Sequence, residues 1–544
     1  MPNNEIQPLR IALAQQNFLV GDIQGNVRLI KEAAQKAASE GAQLIVFSEL
    51  ALTGYPPEDL LLRSSLQPRV EAALADLAAE SKDIAIAIGY PWRQDGFLYN
   101  CAGIWSHGEQ VAHYAKQHLP NYQVFDEERY FHAGQDACVI QLAGHNIALT
   151  VCEDVWHPGP VEQAAAAGAE LILNLNASPF HLGKQSERAQ HLQAHAGNHQ
   201  VALLYVNQVG GQDELVFDGA SFAVSADGEK VLQMPAYEEA LAYVEWNTGK
   251  LTALSDSVGA HENYLASLYN ALVLGVRDYV NKNRFKGVLL GLSGGIDSAL
   301  TLAVAVDALG AERVKAVMMP FTYTSGMSRE DAAEQAKKMG VTYRSISIEP
   351  MYREFMSALA PEFEGLPVDT TEENLQSRCR GVLLMAMSNK SGYMVLTTGN
   401  KSEMAVGYAT LYGDMAGGYG ALKDVYKTKV FALAEYRNSI SPVIPQRVID
   451  RPPSAELAPD QVDEDSLPPY PVLDAILESY IEQDMSAEAI ISAGYEREDV
   501  MRVVRLVDVN EYKRRQAPIG VRVTPRGFGR DRRYPVTNGW KAGI

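Results

Sequence analysis

The sequence predicts an α/β protein of two domains, and three observations predict it. The chain has 544 residues, more than a single hydrophobic core organises well. Over the first 250 residues, short apolar runs alternate with stretches of helical spacing, the mark of a layered α/β domain. From residue 258 the alternation resumes around an apolar run, Gly287–Leu292, a glycine-rich turn and the helix-like Ala299–Val306. With the runs that follow, this reads as a doubly wound parallel sheet. The predicted domains are residues 1–250 and 258–544.

Bulk composition narrows the class. An apolar share of 47% and a charged share of 21% fit soluble globular protein rather than disorder or membrane. The formal charge of −20 argues against general nucleic-acid binding. It is uneven: residues 501–544 hold 11 Lys or Arg against 3 Asp or Glu, so the tail is +8 and the remainder −28. Such a tail reads equally as a local anion site or as a subunit or domain contact. Cys101, Cys138, Cys152 and Cys379 show no paired spacing, which predicts a reduced, cytoplasmic protein. The start, MPNNEIQPLR, is no signal peptide, and no uncharged run of about 18 apolar residues predicts a membrane segment.

In the first domain, LRIALAQ from Leu9 reads as a strand, Asn26–Ser39 as a helix and QLIVFSEL as a strand ending at Glu49. Further strands are predicted at Ile84–Gly89, Ile147–Val151, Leu171–Asn176 and Ala202–Val206. A hairpin, Ala220–Val224 and Val231–Met234 around SADGEK, closes the domain near residue 250. Three positions here carry chemistry. Cys152 follows IALTV, where a sharp turn would expose a thiol; Glu49 ends a buried-looking strand; Lys116 lies in HYAKQHLPNY. Amide hydrolysis needs a nucleophile, a base to make its thiolate and a positive group for the oxyanion, and these three supply the roles. His191, His195 and His199 recur every four residues, but at ~1.5 Å per residue the outer pair lie ~12 Å apart, too far for one metal ion. A packed or solvated helix face is the better reading.

In these contexts Cys152, Glu49 and Lys116 resemble the nitrilase (carbon–nitrogen hydrolase) superfamily over about residues 8–245. The resemblance implies an αββα sandwich, and FDE at 125–127 adds Glu127 as a supporting carboxylate. NASPFHLGK, 176–184, and YVNQVGGQDELVFDG, 205–219, resemble the glutaminase branch attached to NAD synthetases. That likeness implies that Tyr122, Ser178 and Lys184 hold glutamine.

The second domain opens with helical periodicity over 258–283. Then comes GLSGGIDS: Gly291, Leu292, Ser293, Gly294, Gly295, Ile296, Asp297 and Ser298. Strand, glycine-rich turn and helix point free N–H groups at a phosphate. Gly294 and Gly295 would let the backbone approach an anion. Ser293 and Ser298 offer hydroxyls, and Asp297 a carboxylate for magnesium. No Lys follows the glycines, so this is not the G-x-x-x-x-G-K-[ST] loop. SGGIDS instead resembles the pyrophosphate loop of enzymes that cleave ATP between its α- and β-phosphates. VKAVMMP (strand), Ser328–Met339 (helix) and TYRSISI (strand) extend the sheet.

Likeness to NAD synthetases implies further roles. Asn374 in TEENLQSRCRG would serve the nicotinate side, Thr398 in YMVLTTGNKSE would sit by ATP, and Glu403 would share Mg²⁺ with Asp297 on the deamido-NAD side. Lys427 in DVYKTKV would face ATP phosphate, and Lys513 in EYKRRQAP the dinucleotide phosphates. Each has a plain reading as well: Glu403 as a helix start, Lys427 and Lys513 as surface charges. In ATLYGD, Leu411 stands where a lysine is expected from the short ammonia-only synthetases. Residues 450–471, rich in Pro and acid, look like the mobile cover of those enzymes or like plain disorder.

Nearly the whole chain thus resembles the bacterial glutamine-dependent NAD synthetase family. This implies that deamido-NAD, ATP, glutamine and water give NAD, AMP, pyrophosphate and glutamate, in a homo-oligomer. The chemistry is coherent: ATP turns an unreactive carboxylate into an acyl adenylate, and ammonia then displaces AMP. Ammonia is mostly protonated in water, so a protected passage between the two sites is expected. On residues alone two rivals stay open: a pyrophosphate-loop amidotransferase for another acid, and an amidase carrying a regulatory nucleotide module.

Overall fold

The computed structural model describes residues 7–258, 263–453 and 467–540. It divides into two compact units, Met1–Glu262 and Asn263–Ile544.

The first unit stacks two sheets. One has seven strands in the order Lys250–Ala253, Ala240–Asn247, Leu9–Gln15, Leu44–Val46, Ala85–Gln94, Phe97–Ser106 and Glu109–Ala115. The other has six: Lys230–Gln233, Phe222–Val224, Ala202–Asn207, Leu171–Asn176, His145–Val151 and Cys138–Leu142. The two-residue period of a strand explains the layering. Leu9, Ile11 and Leu13 face Leu149, Val151, Leu173 and Leu204 across the sandwich. Ala12 and Ala14, on the opposite face, pack beneath helices Ile23–Ser39 and Leu66–Glu80. Helices Pro160–Ala166 and Lys184–His199 cover the other sheet. This is the expected αββα sandwich.

Leu9–Gln15, Leu44–Val46 and Ala85–Gln94 run parallel, as do His145–Val151, Leu171–Asn176 and Ala202–Asn207. Glu49 lies three residues past its strand, which stops at Val46. Cys152 follows Val151, and Ser178 lies two residues past Asn176. Carboxyl ends of strands therefore gather these side chains. The strands Phe97–Ser106, Glu109–Ala115 and Ala240–Asn247 were not expected. Ala240–Asn247 pairs antiparallel with Leu9–Gln15, Leu9 opposite Trp246, a partner far along the chain.

The second unit opens with helix Tyr264–Lys282, whose N-cap Asn263 accepts from the N–H groups of Leu265 and Ala266. Its five-stranded sheet is wholly parallel, in the order Thr342–Ser345, Val314–Met318, Val288–Gly291, Met394–Thr397 and Tyr419–Gly420. The first strand is central, with later ones added to either side, so the order reverses there. Ligands bind at such a switch point, outside the strands' carboxyl ends. Three short helices, Tyr470–Leu477, Ala487–Ser492 and Arg497–Val509, build a satellite core with Ala405 and Val406. The cover expected at 450–471 falls largely on 454–466, outside the described residues. Asp450 ends one helix and Tyr470 starts another, with Pro471 inside its first turn, where proline costs no hydrogen bond. No helix among the described residues is long and apolar enough to cross a membrane.

Candidate active sites

In the first unit Lys116 is wholly buried between two carboxylates. Its Nζ donates to Glu49 Oε1 at 2.7 Å and to Glu127 Oε1 and Oε2 at 2.9 and 3.0 Å. Asn100 Nδ2 also donates to Glu49 Oε1 (2.7 Å), the Ala177 N–H to Glu49 Oε2 (3.1 Å), and Tyr55 OH to Glu127 Oε1 (2.8 Å). Glu49 is therefore aimed rather than merely buried. Cys152 sits among these charges on a sharp turn with φ 44°, but its residue is only 3% exposed. The expectation of an exposed thiol is corrected: Cys152 packs with the core cluster shared by the two sheets.

Burial, then the charge of Glu49, push the Cys152 thiol well up, with Lys116 pulling the other way. A resting thiol is the result, so attack requires a base, and Glu49 is the carboxylate already oriented by three donors. For Lys116, burial works to lower the ammonium's pKa, but Glu127 and then Glu49 outweigh it and the net direction is well up. It stays charged, a fixed cation beside Cys152. Burial raises Glu127 to about 7, against the pull of Lys116.

A third carboxylate, Asp154, ties this cluster together. Its Oδ1 accepts from the Gln117 and His118 N–H groups (3.0 and 2.9 Å), its Oδ2 from Val151 N–H (2.9 Å) and Tyr114 OH (2.7 Å). It clamps the chain just after Lys116 to the chain just before Cys152. Of the three glutamine-binding candidates, Tyr122 OH donates to Glu153 Oε1 (2.9 Å) beside Cys152. Ser178 is held by Arg188, whose Nε donates to its Oγ (3.2 Å) while Nη1 forks onto Asp218 at 2.7 and 2.8 Å. The Lys184 ammonium lies 3.9 Å over the Trp156 ring and 3.2 Å from Glu187, and burial lowers its pKa. The sequence reading missed Asn100, Tyr55, Asp154, Arg188 and Asp218. Only Asp154 had a local signal, two residues past the candidate thiol. His191 packs on Trp156 and His195 stacks on His199, and among the described residues no three metal-binding side chains cluster.

In the second unit a cavity of about 760 Å³ opens at the carboxyl edge of the sheet. Gly291, Leu292, Ser293, Gly295, Ile296, Asp297 and Ser298 line it, with Thr398, Glu403 and Lys427. Gly294 does not. Its φ is +83°, and a Cβ there would meet the Ser328 carbonyl oxygen at 2.3 Å. Glycine is needed there for a left-handed turn packed against the neighbouring helix. Ser293 and Ser298 hydroxyls bond each other at 3.0 Å and shape the loop. Helix Ile296–Leu309 begins at Gly295 with no side chain capping it, and its first residues, Ile296, Asp297 and Ser298, line the cavity, the arrangement in which helix-start N–H groups can meet an anion.

Beside the loop, Lys427 Nζ donates to Asp297 Oδ2 (2.5 Å) and Glu403 Oε1 (3.1 Å), and Asn400 Nδ2 to Asp297 Oδ1 (2.8 Å). Two carboxylates converging on one cation form a hard-oxygen pair of the kind magnesium takes when phosphates and water complete its shell. Asn374 and Lys513 do not line the cavity. Asn374 Oδ1 accepts from Thr410 Oγ1 (2.8 Å), and Lys513 Nζ donates to the carbonyls of Gly407 (2.7 Å) and Ala409 (2.9 Å). Both hold segment 407–414, where the helix end at Gly407 leaves carbonyls that need donors. Tyr408, Ala409, Gly413 and Asp414 of that segment form part of the cavity wall.

Residues 10–255 match the family model described as carbon–nitrogen hydrolase, and residues 268–517 that described as NAD synthase. A glutamine-dependent NAD(+) synthetase from Acinetobacter baylyi is 51% identical over 98% of this chain and 99% of its own. The chain belongs to the glutamine-dependent NAD(+) synthetase family. Another relative of that name, from Aquifex aeolicus, is 44% identical over 97% of this chain and 99% of its own. The family's structure from Acinetobacter baumannii, in complex with ADP, is 50% identical and superimposes with a TM-score of 0.80, covering 99% of this chain and all of that one. A family structure from Cytophaga hutchinsonii, 22% identical, shares the fold with a TM-score of 0.85 over 98% of both chains.

Proposed function

We propose that this enzyme amidates deamido-NAD to NAD, using ATP and ammonia from glutamine, and releases AMP, pyrophosphate and glutamate. One observation carries the reading: a single chain, matched end to end by the family, holds both the Glu49–Lys116–Cys152 cluster and the Ser293–Ser298 loop beside Asp297 and Glu403.

In the first unit Glu49 takes the thiol proton and Cys152 attacks the glutamine side-chain amide. Lys116 stabilises the oxyanion, ammonia leaves, and water hydrolyses the glutamyl thioester. Glu127 holds Lys116 in place, while Tyr122, Ser178 and Lys184 bind the amino-acid end. In the second unit the N–H groups at Ile296–Ser298 and the ammonium of Lys427 bind ATP phosphates, and Thr398 borders the nucleotide. Asp297 and Glu403 would hold Mg²⁺, which supplies charge neutralisation on the phosphates when bound. The nicotinate carboxylate becomes an acyl adenylate, and ammonia displaces AMP. Glu403, Asn374 and Lys513 bind deamido-NAD, the last two from beside the segment that forms part of the cavity wall.

Four free cysteines, three of them buried, support a reduced cytoplasmic setting, and assembly as a homo-oligomer belongs to the same reading. Sedimentation velocity tests the latter. The activity is tested by turnover with deamido-NAD, ATP and either glutamine or ammonium, following NAD, AMP and pyrophosphate. NAD from both nitrogen sources is expected; no deamido-NAD-dependent pyrophosphate would refute the reading.

A further inference from the structure

Four cationic side chains line the cavity of the second unit: Arg380, Lys423, Lys427 and Arg451. Three hold parts of the wall. Lys427 joins Asp297 to Glu403, Lys423 donates to the Pro518 carbonyl (2.6 Å), and Arg380 to that of Met319 (3.1 Å). Arg451, just past helix Gln446–Asp450, reaches the phosphate loop itself. Its Nη2 donates to the Gly294 carbonyl and its Nη1 to Ser328 Oγ (3.1 Å). The nearest carboxylate oxygen, Asp331 Oδ2, is 4.0 Å away, and Asp331 already accepts from Arg447 Nε at 2.6 Å. Among the described residues the guanidinium is thus hydrogen-bonded to neutral acceptors only, with a quarter of its side chain exposed.

Its side of the loop matters. Asp297, Glu403 and Lys427 flank the loop from the Met394–Thr397 strand, where the carboxylates gather. Arg451 and Ser328 flank it from the Val314–Met318 side, where helix Gly326–Met339 packs. A polyphosphate lying across the N–H groups of Ile296–Ser298 would have a cation at each end. Neutral carbonyl and hydroxyl partners are weak competitors for a guanidinium against phosphate oxygens, which a planar fork binds through paired charge-assisted hydrogen bonds.

We infer that Arg451 is a catalytic residue that binds the pyrophosphate leaving group of ATP, leaving the Gly294 carbonyl to do so. This rests on the function proposed above. In that step a nicotinate carboxylate oxygen bonds to the α-phosphorus. The bond from that phosphorus to the α–β bridging oxygen breaks, and its electron pair leaves with pyrophosphate. No proton moves. Negative charge grows on the departing group, where a fixed cation is worth more in the transition state than in bound ATP.

The test uses the full-length enzyme with ammonium as nitrogen donor, so that glutaminase chemistry does not enter. In Arg451→Gln, kcat for pyrophosphate release is expected to fall roughly 100-fold, as for removal of one transition-state donor. The inhibition constant of added pyrophosphate is expected to rise by about tenfold or more, the worth of a charge-assisted hydrogen bond, while that of AMP stays within about twofold. Arg451→Lys, which keeps charge but loses the fork, should fall between. An AMP constant rising in step with that of pyrophosphate would mean that Arg451 only shapes the loop, and would overturn the assignment; so would unchanged kcat and pyrophosphate inhibition. If Arg451→Gln does not fold, Arg451→Lys decides on the same constants, wild-type values in it overturning the inference. Wild-type enzyme that forms no pyrophosphate would defeat the underlying function instead.

Discussion

The two candidate sites solve opposite problems. Around Cys152 the four groups Lys116, Glu49, Glu127 and Asp154 are buried and hydrogen-bonded to one another or to neighbouring donors: Lys116 and Glu49 are 0% exposed, Glu127 5% and Asp154 0%. Around Asp297 the groups line an open cavity, and their partners are stand-ins, an ammonium between two carboxylates and a guanidinium on a backbone carbonyl. The difference follows from the chemistry assigned to each. Thioester formation takes one small neutral substrate, and its oxyanion is stabilised best by dipoles and charges that need no rearrangement. The proposed adenylation takes two large anions, which the charged side chains of an open cavity would receive. The first site is finished by folding, the second by its ligands.

Mutations should therefore read differently in the two units. The largest effect is expected from Cys152→Ala. Glutamine-dependent NAD formation should fall to background, because the covalent path is gone, while high ammonium still supports synthesis. Comparing both nitrogen sources on one preparation checks it; equal loss with both would mean that Cys152 is structural and the contrast between the sites is false.

Asp297→Asn comes next. Pyrophosphate release should drop by roughly 10²–10³-fold, since a neutral amide holds a divalent cation poorly, and glutamine hydrolysis should remain detectable. Undiminished NAD formation at saturating magnesium would remove Asp297 from the site.

Asp154→Ala sharpens the claim that the first site is finished by folding. It strands the N–H groups of Gln117, His118 and Val151, at about 1–3 kcal/mol each where water cannot replace the partner. Urea unfolding should show that loss. Glutamine-dependent turnover should fall by about 10- to 100-fold through misplacement of Lys116 and Cys152, with ammonium-dependent turnover close to wild type. Lost stability with normal glutamine kinetics would make Asp154 a structural residue only.

The smallest effect concerns Glu127, which burial raises to about 7. As pH falls through that value it takes up a proton, and Lys116 loses one of the two carboxylates that hold its ammonium in place. Glutaminase kcat should decline below an inflection near pH 7 in the wild type, and Glu127→Gln should lack that inflection. The sign for stability follows from the same shift. Between the ordinary carboxylate range and about 7 the folded state holds the proton that the unfolded state has released. The contribution is thus present at low pH and lost as pH rises through about 7. A pH profile unchanged in Glu127→Gln would break the link.

Much of the architecture was legible because it rests on local periodicity. LRIALAQ, Leu171–Asn176 and the βαβ run from Val288 appear as strands wherever apolar residues alternate or run together between turns. The chemistry-bearing side chains were legible as candidates for a similar reason. Glu49, Lys116, Cys152 and SGGIDS each sit in a short window with its own signature. Ala240–Asn247 was not, because what makes it a strand is Leu9–Gln15, more than 220 residues away.

By itself, then, the sequence determined two α/β units, the order of their elements and the residue types able to carry amide hydrolysis and ATP cleavage. Only the tertiary structure decided who touches whom. Asn100 and Tyr55 orient carboxylates 51 and 72 residues away, Asp154 clamps two segments, and Lys513 donates to the carbonyl of Gly407 at a helix end. The reason is physical. Periodicity and turn chemistry act over a few residues, whereas a buried donor or acceptor takes whichever partner the packed chain brings within about 3 Å, and distance along the sequence does not enter that choice.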